Sequence, residues 1–196
     1  MKKLKSSVTN MALVLTAISV IAGGALAAVN EITKEPIAEI NQKNLNDGIK
    51  KVILGTTEGE LTVQEPWQAN ETTFIYATDK GTAVQASVNG FGGELKVLVG
   101  FDDEGTIKGY TILQTAETPG LGAKADTWFQ EGGKGCIVGK NPATANLTVS
   151  KDGGEVDAIT ASTITSRAFL RAVQAAYSAY KSNGTDAETG ASTQNK

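Results

Sequence analysis

The sequence predicts an α+β protein: an apolar N-terminal helix able to cross a membrane, then an antiparallel β-rich domain with flanking helices. Three observations predict it. An uncharged apolar run from Met11 to Val29 follows Lys2, Lys3 and Lys5. Leu95, Val97, Val99 and Phe101 alternate with their neighbours at the period of a strand, ahead of the turn signal Asp102-Asp103-Glu104-Gly105. Phe169, Leu170, Val173, Ala176, Tyr177 and Tyr180 share one side of a helix expected over 164–181.

The elements follow in order. Residues 1–10 form a basic N-terminus, and the lysines place it in the cytoplasm, which puts the remainder outside the cytoplasm. Residues 11–29 read either as a retained anchor or as a signal peptide, since Ala25-Leu26-Ala27 fits a cleavage site. No cysteine stands directly after the run, which disfavours a lipoprotein. Residues 30–69 read as a helical stalk, with Ile37, Ile40, Leu45, Ile49 and Ile53 at helical spacing, and a Gly-rich acidic connector closed by Pro66. The main domain is expected over 70–181. Strands are predicted at Thr73–Thr78 and Thr82–Val88. A hairpin pairs Leu95–Phe101 with Thr106–Thr115. A second hairpin is predicted between Ala145–Ser150 and Glu155–Ile159, through Lys151-Asp152-Gly153-Gly154. The polar tail, 182–196, reads as disordered.

Composition narrows the chemistry. The chain has 196 residues and a net charge of -3, which does not suggest a nucleic-acid surface. It contains no histidine and one cysteine, Cys136. That removes Ser-His-Asp and Cys-His catalysis, the usual zinc centres, histidine-ligated haem, a Cys-x-x-Cys redox pair and a cysteine-held iron–sulfur cluster. No metal site is expected. Any redox work therefore needs an organic cofactor.

Two segments carry candidate chemistry. The run Asp157-Ala158-Ile159-Thr160-Ala161-Ser162-Thr163-Ile164-Thr165-Ser166 places five hydroxyls at the start of the last helix. Such a run caps free N–H groups, and the same helix end attracts a phosphate. Read alone, the run is more readily a plain cap than an anion site. Glu117-Thr118-Pro119-Gly120-Leu121-Gly122 forms a tight turn through Pro119-Gly120, and its flanking glycines let a flat ligand approach the backbone.

These segments, with Gly90-Phe91-Gly92-Gly93 and Val97-Leu98-Val99-Gly100-Phe101-Asp102, stand in the order seen in the bacterial FMN-binding domain family, which the chain resembles. Within it the resemblance is to the G subunits of Rnf-type electron-transport complexes; the C subunits of the sodium-translocating NADH:quinone reductase are related. The resemblance covers about residues 70–180 and the N-terminal anchor. It implies FMN joined through its phosphate to a threonine, by a flavin transferase that uses FAD. Laid on the family pattern Asp-x-x-Ser/Thr-Gly-Ala-Thr, Asp157 and Thr160 take the first two named positions and Thr163 is the acceptor. Ala161 stands for Gly and Ser162 for Ala. Ser162 and Thr165 are neighbouring hydroxyls at the phosphate. Glu117, Thr118, Gly120, Leu121 and Gly122 are implied to lie along the flavin ring, with Leu121 covering a face.

Three further side chains have two readings each. Lys124 either faces the reduced flavin or is a solvated lysine; Trp128 is core or stacker; Arg167 pairs with the phosphate or with an acid. The function implied is that of a covalently flavinylated electron carrier among the other subunits of a membrane complex. That complex would couple ferredoxin:NAD electron transfer to ion translocation. Alternatives are a carrier like the C subunit of the quinone reductase, a free-standing flavinylated carrier, or a non-redox anchored binding module.

Overall fold

A computed structural model describes residues 8–189, with side chains described through residue 182. Most of the expected basic N-terminus, residues 1–7, therefore lies outside the described residues, as does the tail from 190 onward. The chain divides into two compact units, up to Lys43 and from Asn44.

The first unit is the greater part of helix α1, Val8–Leu54. Its apolar stretch is long enough to span a bilayer, and none of its most apolar window is buried by protein. A helix that presents leucine, isoleucine and valine on every side is matched to lipid rather than to water. Anchor and stalk are one helix, continuous past the break that separate helices would need.

The second unit is built on a five-stranded antiparallel sheet in sequential order: β1 (Trp67–Asn70), β2 (Thr73–Thr78), β3 (Gly81–Asn89), β4 (Glu94–Phe101) and β5 (Ile107–Gln114). The predicted hairpin is β4–β5, with Val97 opposite Ile112 and Phe101 opposite Ile107. Its turn is held by Asp102, whose Oδ1 accepts the N–H groups of Glu104 and Thr106 at 3.0 and 2.8 Å. Alternation sends Leu95, Val97, Val99 and Phe101 into the main core, together with Val84 and Ala86 of β3. Helix α3, Thr163–Thr189, closes that face with Phe169, Leu170, Val173 and Ala176. It runs on past the expected end at residue 181, so residues 182–189 of the expected disordered tail are helical.

The opposite face of the sheet is covered as well. Ile49, Val52 and Ile53, in the last turns of α1, pack on Tyr76, Ala83 and Leu98. The sheet is thus a middle layer, and the strands are buried more deeply than a one-sided alternation implies.

Two expectations need correction. Strand β1, directly after the Pro66 that closes the connector, was not expected; it is a short, largely exposed edge strand and carries no alternating pattern to betray it. The second hairpin does not form. Residues 145–159 make one isolated bridge, Val149 to Val156, and a 3₁₀ turn at Ser150–Asp152. The apolar residues that suggested strands there, Leu147, Val149, Val156 and Ile159, are buried in the main core as part of an irregular segment.

That segment, between β5 and α3, also contains a 3₁₀ turn (Gly122–Lys124) and the one-turn helix α2 (Ala125–Trp128). Tyr110 of β5 anchors it. The Tyr110 hydroxyl donates to the Ala125 carbonyl at 2.6 Å and accepts the Phe129 N–H at 3.2 Å. Phe129 stacks on Phe169 with ring centroids 4.3 Å apart, and Tyr110 meets the same ring edge-on.

Replacing Tyr110 by Phe leaves the buried Phe129 N–H and Ala125 carbonyl without this partner. It is expected to cost about 1–3 kcal/mol in urea unfolding at neutral pH. Burial raises the Tyr110 hydroxyl well above an ordinary phenol, so the folded chain keeps it protonated where the unfolded chain ionises. Its contribution is complete below about pH 10 and is lost as pH climbs from there towards the folded value. The Tyr110→Phe protein should show a shallower alkaline decline in the same measurement.

Candidate functional site

Three segments distant in sequence meet at the start of α3, and one carboxylate joins them. Glu117, just after β5, is 7% exposed. Its Oε1 accepts the N–H groups of Phe91 at 2.6 Å and Gly92 at 3.2 Å, and its Oε2 accepts the Thr165 hydroxyl at 2.7 Å. The loop after β3, the segment after β5 and the first turn of α3 are thereby fixed together. Gly122 presses on the same carboxylate: a Cβ there would stand 2.5 Å from Glu117 Oε2 and 2.8 Å from Thr165 Oγ1. The predicted tight turn is present, with the Leu121 N–H donating to the Thr118 carbonyl at 3.1 Å. Gly120 takes φ +77°, as the third residue of a Pro-Gly turn of this kind requires.

The hydroxyl run divides between structural and open roles. Ser166 is fully buried; its Oγ donates to the Ser162 carbonyl and accepts the Ile159 N–H, at 3.0 and 2.9 Å. Ser162 and Thr165 are buried too, and Thr165 spends its hydroxyl on Glu117. Thr163, the first residue of α3, is half-buried. The N–H groups of Thr163, Ile164 and Thr165 have no carbonyl earlier in the helix to bond, so the dipole and the free donors point the same way. Ala161, two residues before the helix, is held at φ +61°, the left-handed region that glycine enters freely.

A cavity of about 320 Å³ opens at this helix end, lined by Phe91, Glu117, Thr118, Leu121, Gly122 and Ala161 through Thr165. Outside α1, five large apolar side chains are exposed among the described residues, and three of them, Phe91 (70%), Ile164 (53%) and Leu121 (42%), line this one cavity. A polar floor with an apolar rim suits a flat, partly aromatic anion. A second cavity of about 340 Å³ adjoins it, and Ala161 lines both. Trp128, Lys134, Lys151, Asp157 and Thr160 line the second.

The structure therefore gathers Glu117, Thr118, Leu121, Gly122, Ser162, Thr163 and Thr165 at one cavity and puts Asp157 and Thr160 at its neighbour. Gly120 and Lys124 line neither; Lys124 is exposed. Trp128 packs against the core while its Nε1 donates to the Asp157 carbonyl at 2.8 Å. Arg167 forms a two-pronged pair with Asp152, at 2.7 Å on each prong, so its guanidinium faces an acid. That hydrogen-bonded guanidinium holds the Asp152 carboxyl below its ordinary range.

Sequence reasoning missed Phe91 and Ile164 as lining residues. The available signal was an aromatic residue flanked by glycines, where a turn alone calls for no ring.

Residues 90–178 match the FMN-binding domain family. The chain is 32% identical over 169 residues to the G subunit of the ion-translocating oxidoreductase complex of Escherichia coli (strain K12), covering 78% of this chain and 81% of that one. It is 29% identical over 193 residues to the G subunit of the Na(+)-translocating ferredoxin:NAD(+) oxidoreductase complex of Acetobacterium woodii, covering 89% and 92%. With the G subunit from Aliivibrio fischeri (strain ATCC 700601 / ES114) it shares 38% over 113 residues, and there it spans about half of the relative, 53%.

Ala161→Gly is expected to raise stability by about 1 kcal/mol, read from the urea midpoint, because it relieves the left-handed alanine. Gly122→Ala is expected to lower it by about 1–3 kcal/mol, because the added methyl has to displace Glu117 or Thr165.

Proposed function

This chain belongs to the FMN-binding domain family, among the G subunits of ion-translocating oxidoreductase complexes, and we propose that it carries FMN as a phosphoester on Thr163. As such it serves as the membrane-anchored electron carrier of a complex that couples ferredoxin:NAD electron transfer to ion translocation. Its partners are the other subunits of that complex and, during maturation, a flavin transferase. The lysines before α1 favour a cytoplasmic N-terminus and an extracytoplasmic main domain, with the apolar stretch kept as the anchor as in the G subunits that the chain resembles.

The observation that carries this reading is the half-buried Thr163 at an open helix end, lining a cavity with an apolar rim. The residues present fit FMN. The first N–H groups of α3 suit the phosphate, and the helix end stabilises its charge by about 0.3–1 kcal/mol, and by about 2 when partly buried. Leu121 and Ile164 offer apolar surface to the ring, and Thr118 offers a polar edge. The buried Ser162 and Thr165 shape the floor. In attachment the Thr163 oxygen bonds the flavin-side phosphorus of FAD, the pyrophosphate P–O bond breaks, AMP leaves and the hydroxyl proton is lost. Once bound, the flavin supplies the electron transfer; the chain binds it, orients it and limits its contact with water. Glu117, spent on three hydrogen bonds, acts as a support of the floor.

Thr163→Ala, expressed in cells that contain the transferase, is expected to lose all attached flavin by intact mass and by in-gel fluorescence. Flavin on that protein would overturn the assignment. Thr165→Ala should keep the flavin but lose about 1.5–3 kcal/mol of stability, through the missing hydrogen bond to the Glu117 carboxylate.

A further inference from the structure

The most exposed aromatic residue of the second unit, Phe91, stands in the four-residue loop between β3 and β4. Gly90 N–H closes the loop on the Gly93 carbonyl at 2.8 Å, and the Phe91 and Gly92 N–H groups are tied to Glu117. The backbone under Phe91 is thus anchored at three points, while its ring stays 70% exposed beside Thr163 at the cavity. An exposed phenyl forgoes the gain of burial, so a fixed one in a hydrogen-bonded loop marks a place where something apolar is to be covered.

We propose that Phe91 is a cofactor-contact residue whose ring packs against the flavin carried on Thr163. The inference rests on the reading above and adds a residue to it. Phe91, Leu121 and Ile164 come from three separate segments, and a flat aromatic ring is the shape that touches all three from one cavity. Loop position and helix end are set by the same carboxylate, so the distance from Phe91 to the flavin attachment point is built into the fold rather than left to a flexible tip.

The test uses the full-length chain purified from cells that contain the flavin transferase, with flavin content fixed by intact mass. Phenylalanine hardly quenches an excited flavin, whereas an indole in contact quenches it by electron transfer. Phe91→Trp is therefore expected to lose flavin emission relative to the same protein unfolded. Val63→Trp, at an exposed position outside the cavity, should stay as bright as the parent. Phe91→Ala should keep its flavin and become more accessible to iodide quenching. Full emission from flavin-loaded Phe91→Trp, or unchanged iodide access in Phe91→Ala, overturns the inference and leaves the attachment at Thr163 standing. A parent chain without flavin overturns both.

Discussion

The Glu117 carboxylate is the point on which the rest of the site depends. It is nearly buried, it has no lysine or arginine partner among the described residues, and it is satisfied by two backbone N–H groups and one hydroxyl. Those donors belong to the loop after β3 and to the first turn of α3, far apart in sequence. A buried carboxylate without such donors carries a large desolvation cost, so each of the three bonds holds its segment firmly. Glycine at 122 lets the backbone close over the carboxylate. The cavity, its apolar rim and the open helix end all follow from where this one side chain draws the chain together.

The platform beneath it is a sheet covered on both faces. Helix α3 buries one face with Phe169, Leu170 and Val173, and the last turns of α1 bury the other with Ile49, Val52 and Ile53. The strands in the middle have no free face on which to slide, which fixes their register. Tyr110 then carries this order into the irregular segment that follows β5, through its hydroxyl and its edge-on contact with Phe169. Precision at the cavity comes from a rigid layer and a few long-range hydrogen bonds, in a stretch that contains little regular structure of its own.

Strands β2 to β5 were legible because each carries an alternation or a turn that only one geometry satisfies; Asp102 at the β4–β5 turn is the clearest case. β1 was not, because an exposed four-residue edge strand has no pattern to show. Residues 145–159 misled for the opposite reason: Leu147, Val149 and Val156 are spaced like a strand but are buried singly by an irregular chain. At the site, the hydroxyl run and the Pro-Gly turn were visible as local chemistry. The role of Glu117 was not, since its partners Phe91 and Thr165 lie 26 and 48 residues away. Ala161 could be read as a departure from the family pattern, and the structure gives the reason it matters, a left-handed backbone at that position.

The pairing of Arg167 with Asp152 has a consequence for how long a ligand stays. With that guanidinium turned to an acid, none of the ten residues lining the cavity is Lys or Arg. A phosphate held there by contact alone draws on backbone donors and the helix end, a few kcal/mol at most against the loss of its motional freedom. On such terms a small anion exchanges quickly with its surroundings. Contacts of this kind set a short residence for a small anion, whereas a bond would set retention by its own lifetime.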